Sequence, residues 1–75
     1  MKIKVLAFGQ IAEITGSQLY MEAIDTAVLK AALQIEFPAL ADKKYAIAVN
    51  NKVITDTKGL SENDVVALMP PYSGG

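Results

Sequence analysis

Thr26-Ala27-Val28-Leu29-Lys30-Ala31-Ala32-Leu33-Gln34-Ile35-Glu36-Phe37 reads as one amphipathic helix, and its position in the chain decides the fold. Leu29, Ala32 and Leu33 share a stripe at helical spacing with Val28 at its margin, while Lys30, Gln34 and Glu36 mark a wetter side. Asp25 or Thr26 can cap it, because either side-chain oxygen can accept a free first-turn amide. Pro38 ends it, since the residue before a proline is pushed out of helical conformation.

Strand-like sequence lies on both sides of this helix. Upstream, Lys2 to Phe8 places Lys2 and Lys4 on one face and Ile3, Val5 and Ala7 on the other, the pattern of a half-buried strand. Gly9 breaks it, Gln10 to Thr15 can form a short helical turn, and Gly16 suits the position just past its end. Ser17 to Ala23 alternates again, and the short connection predicts an antiparallel pair. Downstream, Tyr45 to Asn50 and Lys52 to Thr55 predict two strands joined at Asn50-Asn51, since Asn tolerates positive φ. Ala39 to Lys44 is a connector without a clear pattern, and Asp56 to Asn63 is turn chemistry. Val65 to Met69 is a last strand, closed by Pro70-Pro71. The order β-β-α-β-β-β predicts an α+β domain, with a mixed five-stranded sheet on one main helix and the first strand parallel to the last. It is similar to the β-grasp of ubiquitin-like domains, and residues 1–75 are expected to form one such domain with an extended tail over 70–75.

Composition removes most kinds of chemistry. The 75 residues carry a net charge of −1, and their seven cations are lysines scattered along the chain, which gives nucleic acid no basic patch to bind. Hydrophobic residues make up 52% and charged residues 20%, as in a folded domain, yet no apolar run is long enough to cross a bilayer. Met1-Lys2-Ile3-Lys4 enters strand-like sequence with no signal-peptide core, so a cytoplasmic protein is expected. With no Cys, thiol nucleophiles and iron–sulfur clusters are excluded; with no His, the commonest general base and transition-metal ligand are missing. Glu13, Glu22, Asp25, Glu36, Asp42, Asp56, Glu62 and Asp64 form no ligand-like cluster. A bound cofactor, a metal site and autonomous catalysis are therefore not expected.

What remains is surface and tail. Leu6 and Phe8 belong to the face opposite Ile3 and Val5, and the last strand is apolar on both faces, whereas one helix covers only one face of a sheet. Burial of both central strands accounts for any single such residue. Taken together, Phe8, Leu68 and Met69 beside an apolar Pro-Pro-Tyr segment exceed what the helix can hide, and they predict a partner surface. The chain then runs Pro70-Pro71-Tyr72-Ser73-Gly74-Gly75. An incidental polar end explains two glycines but not Pro70-Pro71, which hold an extended direction. Six extended residues reach roughly 20 Å, and Gly74 and Gly75 let a narrow channel close on their backbone. Such a thread suits the presentation of a terminal carboxylate, which must be activated, most simply as an acyl-adenylate, before it can donate.

Leu68-Met69-Pro70-Pro71-Tyr72-Ser73-Gly74-Gly75 resembles the carboxyl end of molybdopterin synthase small subunits. The likeness extends through Ala7-Phe8-Gly9-Gln10-Ile11-Ala12-Glu13, Phe37-Pro38, Ala48-Val49-Asn50 and Asn63-Asp64-Val65. Two positions depart from that pattern. Ala12 stands where relatives often carry a basic residue, and Asn63 replaces a usual Gly, although Asn also adopts positive φ. The resemblance implies a sulfur carrier for molybdenum cofactor synthesis. A partner enzyme would adenylate Gly75 with ATP, and a sulfur donor would convert it to a thiocarboxylate. The tail, with Gly74 ahead of the reacting end and Phe8, Leu68, Met69, Pro70, Pro71, Tyr72 and Ser73 contacting the partner, would enter the synthase large subunit. There the sulfur would pass to the precursor pterin (precursor Z, cyclic pyranopterin monophosphate) to build the dithiolene, and two sulfurs per product imply two small and two large subunits. A carrier for thiamine thiazole synthesis shares the fold and the Gly-Gly end but not the Pro-Pro-Tyr-Ser approach. A ubiquitin-like modifier tends to carry tail arginines, absent here, and a plain β-grasp interaction module is a further reading.

Overall fold

The computed structural model describes residues 2–70. Its elements are β1 (Lys2–Ala7), α1 (Gly9–Thr15), β2 (Gln18–Glu22), α2 (Thr26–Glu36), a 3-10 helix over Pro38–Asp42, β3 (Ala46–Val49), β4 (Lys52–Ile54) and β5 (Val65–Met69). The five strands form one mixed sheet in the order β2-β1-β5-β3-β4. β1 pairs antiparallel with β2 and parallel with β5, so the first and last strands lie side by side at the centre, as the element order predicts. With α2 across one face, this is the ubiquitin-like β-grasp.

Strand alternation sorts residues between the faces. Val5 is opposite Leu19 on one side and Val66 on the other, and Val66 is opposite Val49, giving an apolar row directed toward α2. Ile3, Val5, Val66 and Leu68 are fully buried there together with Leu29 and Leu33 from α2. Each such side chain contributes about 1.5–3 kcal/mol by leaving water.

Local signals explain where elements begin and end. Asp25 caps α2, its carboxylate accepting the Val28 N–H at 2.8 Å. Thr26, the other possible cap, is an anchor instead: its buried hydroxyl accepts the Lys58 N–H at 2.9 Å. Asn50 and Asn51 take φ of 51° and 72°, the left-handed pair needed for a two-residue hairpin between Val49 and Lys52. Gly16 ends α1 at φ 89°. Asn63 adopts φ 80°, so it serves the turn in place of a glycine. The segment without a clear pattern, Ala39 to Lys44, overlaps the 3-10 helix that begins at Pro38 and is held by Leu40, which is fully buried. Its five residues are too few for helical periodicity to emerge from the sequence.

A polar clasp joins the β3–β4 hairpin to the start of β5. Asn50 donates from Nδ2 to Asp64 Oδ1 at 2.9 Å and accepts the Val65 N–H on Oδ1 at 3.0 Å. Asp64 Oδ2 also accepts the Ser61 N–H at 2.8 Å. These donors, with the Asn50 amide foremost, hold the Asp64 carboxyl below its ordinary value of 3.8.

Two outcomes follow from this packing. Leu33→Ala should cost about 2–5 kcal/mol in urea unfolding, because the sheet cannot close onto α2 to fill the space. Because the folded Asp64 pKa lies below the unfolded one, its stabilisation is complete above 3.8 and is lost as pH falls through the lower folded value. Wild type should therefore melt above Asp64→Asn at neutral pH, with the gap narrowing in acid; a gap that stays constant down to strongly acidic pH would contradict this origin.

Candidate functional site

On the face away from α2, the rows read differently. Lys2 is opposite Glu22 and Lys4 opposite Tyr20, so the β1–β2 half is polar. Toward the other edge, Ala67 is opposite Ala48, which is opposite Val53, and Ala46 is opposite Met69. The alanines make a low floor, and larger side chains stand around it.

The result is an apolar groove of about 520 Å³ lined by Phe8, Ala46, Val53, Met69 and Pro70. Phe8 is 48% exposed and Val53 64% exposed, a large apolar surface for so small a domain. Phe8 is held at the rim by its backbone, which donates to the Leu68 carbonyl at 3.0 Å and extends the β1–β5 pairing by one residue. Pro70, immediately after β5, forms part of the groove and is itself exposed. The segment over which a carboxylate thread is expected therefore starts at the apolar groove.

The structure divides the expected partner residues. Phe8, Met69 and Pro70 come together in the groove. Leu68 does not: it is 0% exposed and packs beneath the sheet with the core. The expectation that it belongs to the exposed apolar surface is corrected, because Leu68 lies in register with Ala7 and Ile47 on the helix-facing side, one residue out of phase with Met69. Pro71, Tyr72, Ser73, Gly74 and Gly75 lie outside the described residues. Val53 and Ala46 were missed by sequence reasoning. The signal for Val53 was available: a two-residue turn at Asn50-Asn51 puts Val53 opposite Ala48, whose face it must share.

The ThiS family matches residues 5–75, which include the groove residues Phe8, Ala46, Val53, Met69 and Pro70. The chain belongs to the ThiS family. This ThiS-family chain is 36% identical over 80 residues to the molybdopterin synthase sulfur carrier subunit of Escherichia coli, covering 97% of this chain and 99% of that one. It is 30% identical over 86 residues to the molybdopterin synthase sulfur carrier subunit of Arabidopsis thaliana, covering 99% and 83%. Among solved structures it is similar to a chain in the protein–protein complex of subunits 1 and 2 of molybdopterin-converting factor from Helicobacter pylori, with a TM-score of 0.79, 33% identity and full coverage of both chains.

A second cavity of about 320 Å³ opens on the opposite side of the sheet, between α2 and the β3–β4 hairpin, with Lys30, Tyr45 and Asp56 in its lining. Lys30 Nζ lies 5.8 Å from the centre of the Tyr45 ring, a cation–π distance. Burial pushes the Tyr45 phenol above its usual range. Among the described residues, none of the expected site residues (Phe8, Leu68, Met69 and Pro70) lines this cavity. Among the described residues no three His, Cys, Asp or Glu side chains are grouped to hold a metal ion, and no helix is long and apolar enough to cross a membrane.

The division between the two faces of the sheet can be tested by mutation. Val53→Asp should leave stability within about 0.5 kcal/mol, as exposed substitutions do. Leu68→Ala should cost about 2–5 kcal/mol, a difference visible in parallel thermal melts.

Proposed function

We propose that this chain is the sulfur carrier of a molybdopterin synthase. The carrying observation is that β5 ends at an all-apolar groove, with Pro70 in its lining and Pro71-Tyr72-Ser73-Gly74-Gly75 next in the sequence. The full-length similarity to molybdopterin synthase sulfur carrier subunits supports the same reading. The domain has one face for its own core and one for a partner, so it docks while the tail reacts.

In this reading an activating enzyme transfers AMP from ATP to the Gly75 carboxylate, releasing pyrophosphate. A sulfur donor then replaces the adenylate, releasing AMP and leaving a thiocarboxylate. Neither step needs a cofactor held by the carrier, and ATP belongs to the partner. The synthase large subunit receives the Phe8, Met69, Val53 and Pro70 surface, and the tail delivers sulfur to the precursor pterin. Water returns the carboxylate, so the carrier is recycled, and the catalytic groups belong to the large subunit. The similarity to a chain from a complex of subunits 1 and 2 supports a large-subunit partner. Two sulfurs per dithiolene favour an assembly with two copies of each subunit. Such a carrier works in the cytoplasm, as one domain whose tail spans residues 70–75.

The decisive experiment is the intact mass of protein purified from cells with active sulfuration. One oxygen-for-sulfur exchange localised to Gly75 is expected, and deleting Gly75 should abolish molybdopterin synthesis; synthesis that persists without Gly75 would sink the proposal. Phe8→Asp should weaken large-subunit binding by about one to two orders of magnitude, matching about 1.5–3 kcal/mol for one buried apolar side chain, with little change in melting temperature.

A further inference from the structure

Gly9 sits between the groove and the start of α1, and the sulfur-carrier reading gives it no role. Its φ is +58°, a left-handed value that costs an alanine about 1–2 kcal/mol. More specifically, a Cβ placed on Gly9 would lie 2.7 Å from Pro70 Cγ and 3.5 Å from Pro70 Cδ. The proline ring therefore rests on bare backbone, in space that a methyl group would fill.

Both sides of this contact are tied to the core. On one side Ile11, two residues after Gly9, is 1% exposed and fixes α1 to the domain. The Phe8 N–H bond to Leu68 fixes the backbone just before Gly9. On the other side Pro70 follows Met69 directly, and its ring leaves it no N–H with which to continue the sheet. The direction in which the chain leaves β5 is thus set by a ring seated against a helix start, not by further strand pairing.

The geometry points to Gly9 as a positioning residue for sulfur transfer, acting through Pro70 to aim the segment that carries the reacting end. This role rests on the sulfur-carrier reading, but the seat itself does not. Gly9 would touch neither pterin nor sulfur; its contribution is the absence of a side chain.

The test is a double-mutant cycle on Gly9→Ala and Pro70→Ala, using thiocarboxylated carrier with its large subunit in single-turnover assays. Gly9→Ala should lower the transfer rate at saturating carrier by about tenfold or more, the scale expected when a reacting group is misplaced by an ångström. In the Pro70→Ala background, where Cγ is gone, the same substitution should change that rate less than about twofold, whereas its cost in melting temperature from positive φ should persist. Additive rate losses, or a Gly9→Ala variant whose only defect is thermal, would overturn the positioning role. In the free wild-type protein, a nuclear Overhauser contact between the Gly9 α protons and the Pro70 ring protons is expected, and its absence would remove the seat. Wild-type carrier that shows this contact but transfers no sulfur would instead strike the functional reading and, with it, the role assigned to Gly9.

Discussion

The parallel pairing of β1 with β5 is the constraint from which the rest follows. It joins residues about 60 positions apart, such as Val5 and Val66, and closing a loop of that length costs roughly 3–4 kcal/mol beyond a constant term. Burial of Ile3, Val5, Val66 and Leu68, at about 1.5–3 kcal/mol each, exceeds that cost. The pairing is therefore maintained by what it buries, and α2 is what buries it. Without α2, the central strands would have two solvated faces and no reason to meet.

The same pairing sets where the chain leaves β5. Because β1 and β5 run parallel, both reach their carboxyl ends on one side of the domain. Phe8 and Gly9 leave β1 there, and Pro70 leaves β5 beside them, next to the last strand residue Met69. An antiparallel pairing would have put Pro70 near Lys2, on the polar half of the outer face. Core and site are thus two consequences of one register, and a slip by a single residue would exchange Leu68 for Met69 and destroy both.

Much of this was legible in the sequence because it rests on local chemistry. The stripe of Leu29 and Leu33, the stop at Pro38 and the paired asparagines each act within a few residues. Leu68 shows where reading residue by residue fails. β5 is apolar on both faces, so its composition could not distinguish the core from the surface; only its phase against Ala7 and Ile47 could. Val53 was obscured by the opposite effect, since a three-residue edge strand carries too little pattern to expose its parity until the hairpin turn is used as a ruler. The seat of Pro70 on Gly9 depends on two residues that meet only after the whole sheet has formed, and no spacing along the chain encodes it.

The outer face also shows how so small a domain can separate the side chains that hold the fold from those left open to solvent. Its floor is built from Ala46, Ala48 and Ala67, residues that complete the sheet while adding little apolar bulk of their own. The exposed bulk is concentrated in Phe8 and Val53 at the rim, whose side chains are absent from the core cluster. A partner can therefore cover them without repacking Leu29, Leu33 or Leu68, and they can change with little loss of folding energy. The tail root is the exception, because Pro70 is both part of that rim and seated on the start of α1. That contact joins the root of the tail to α1, which Ile11 anchors in the core, so it must satisfy the fold and the exit of the chain together.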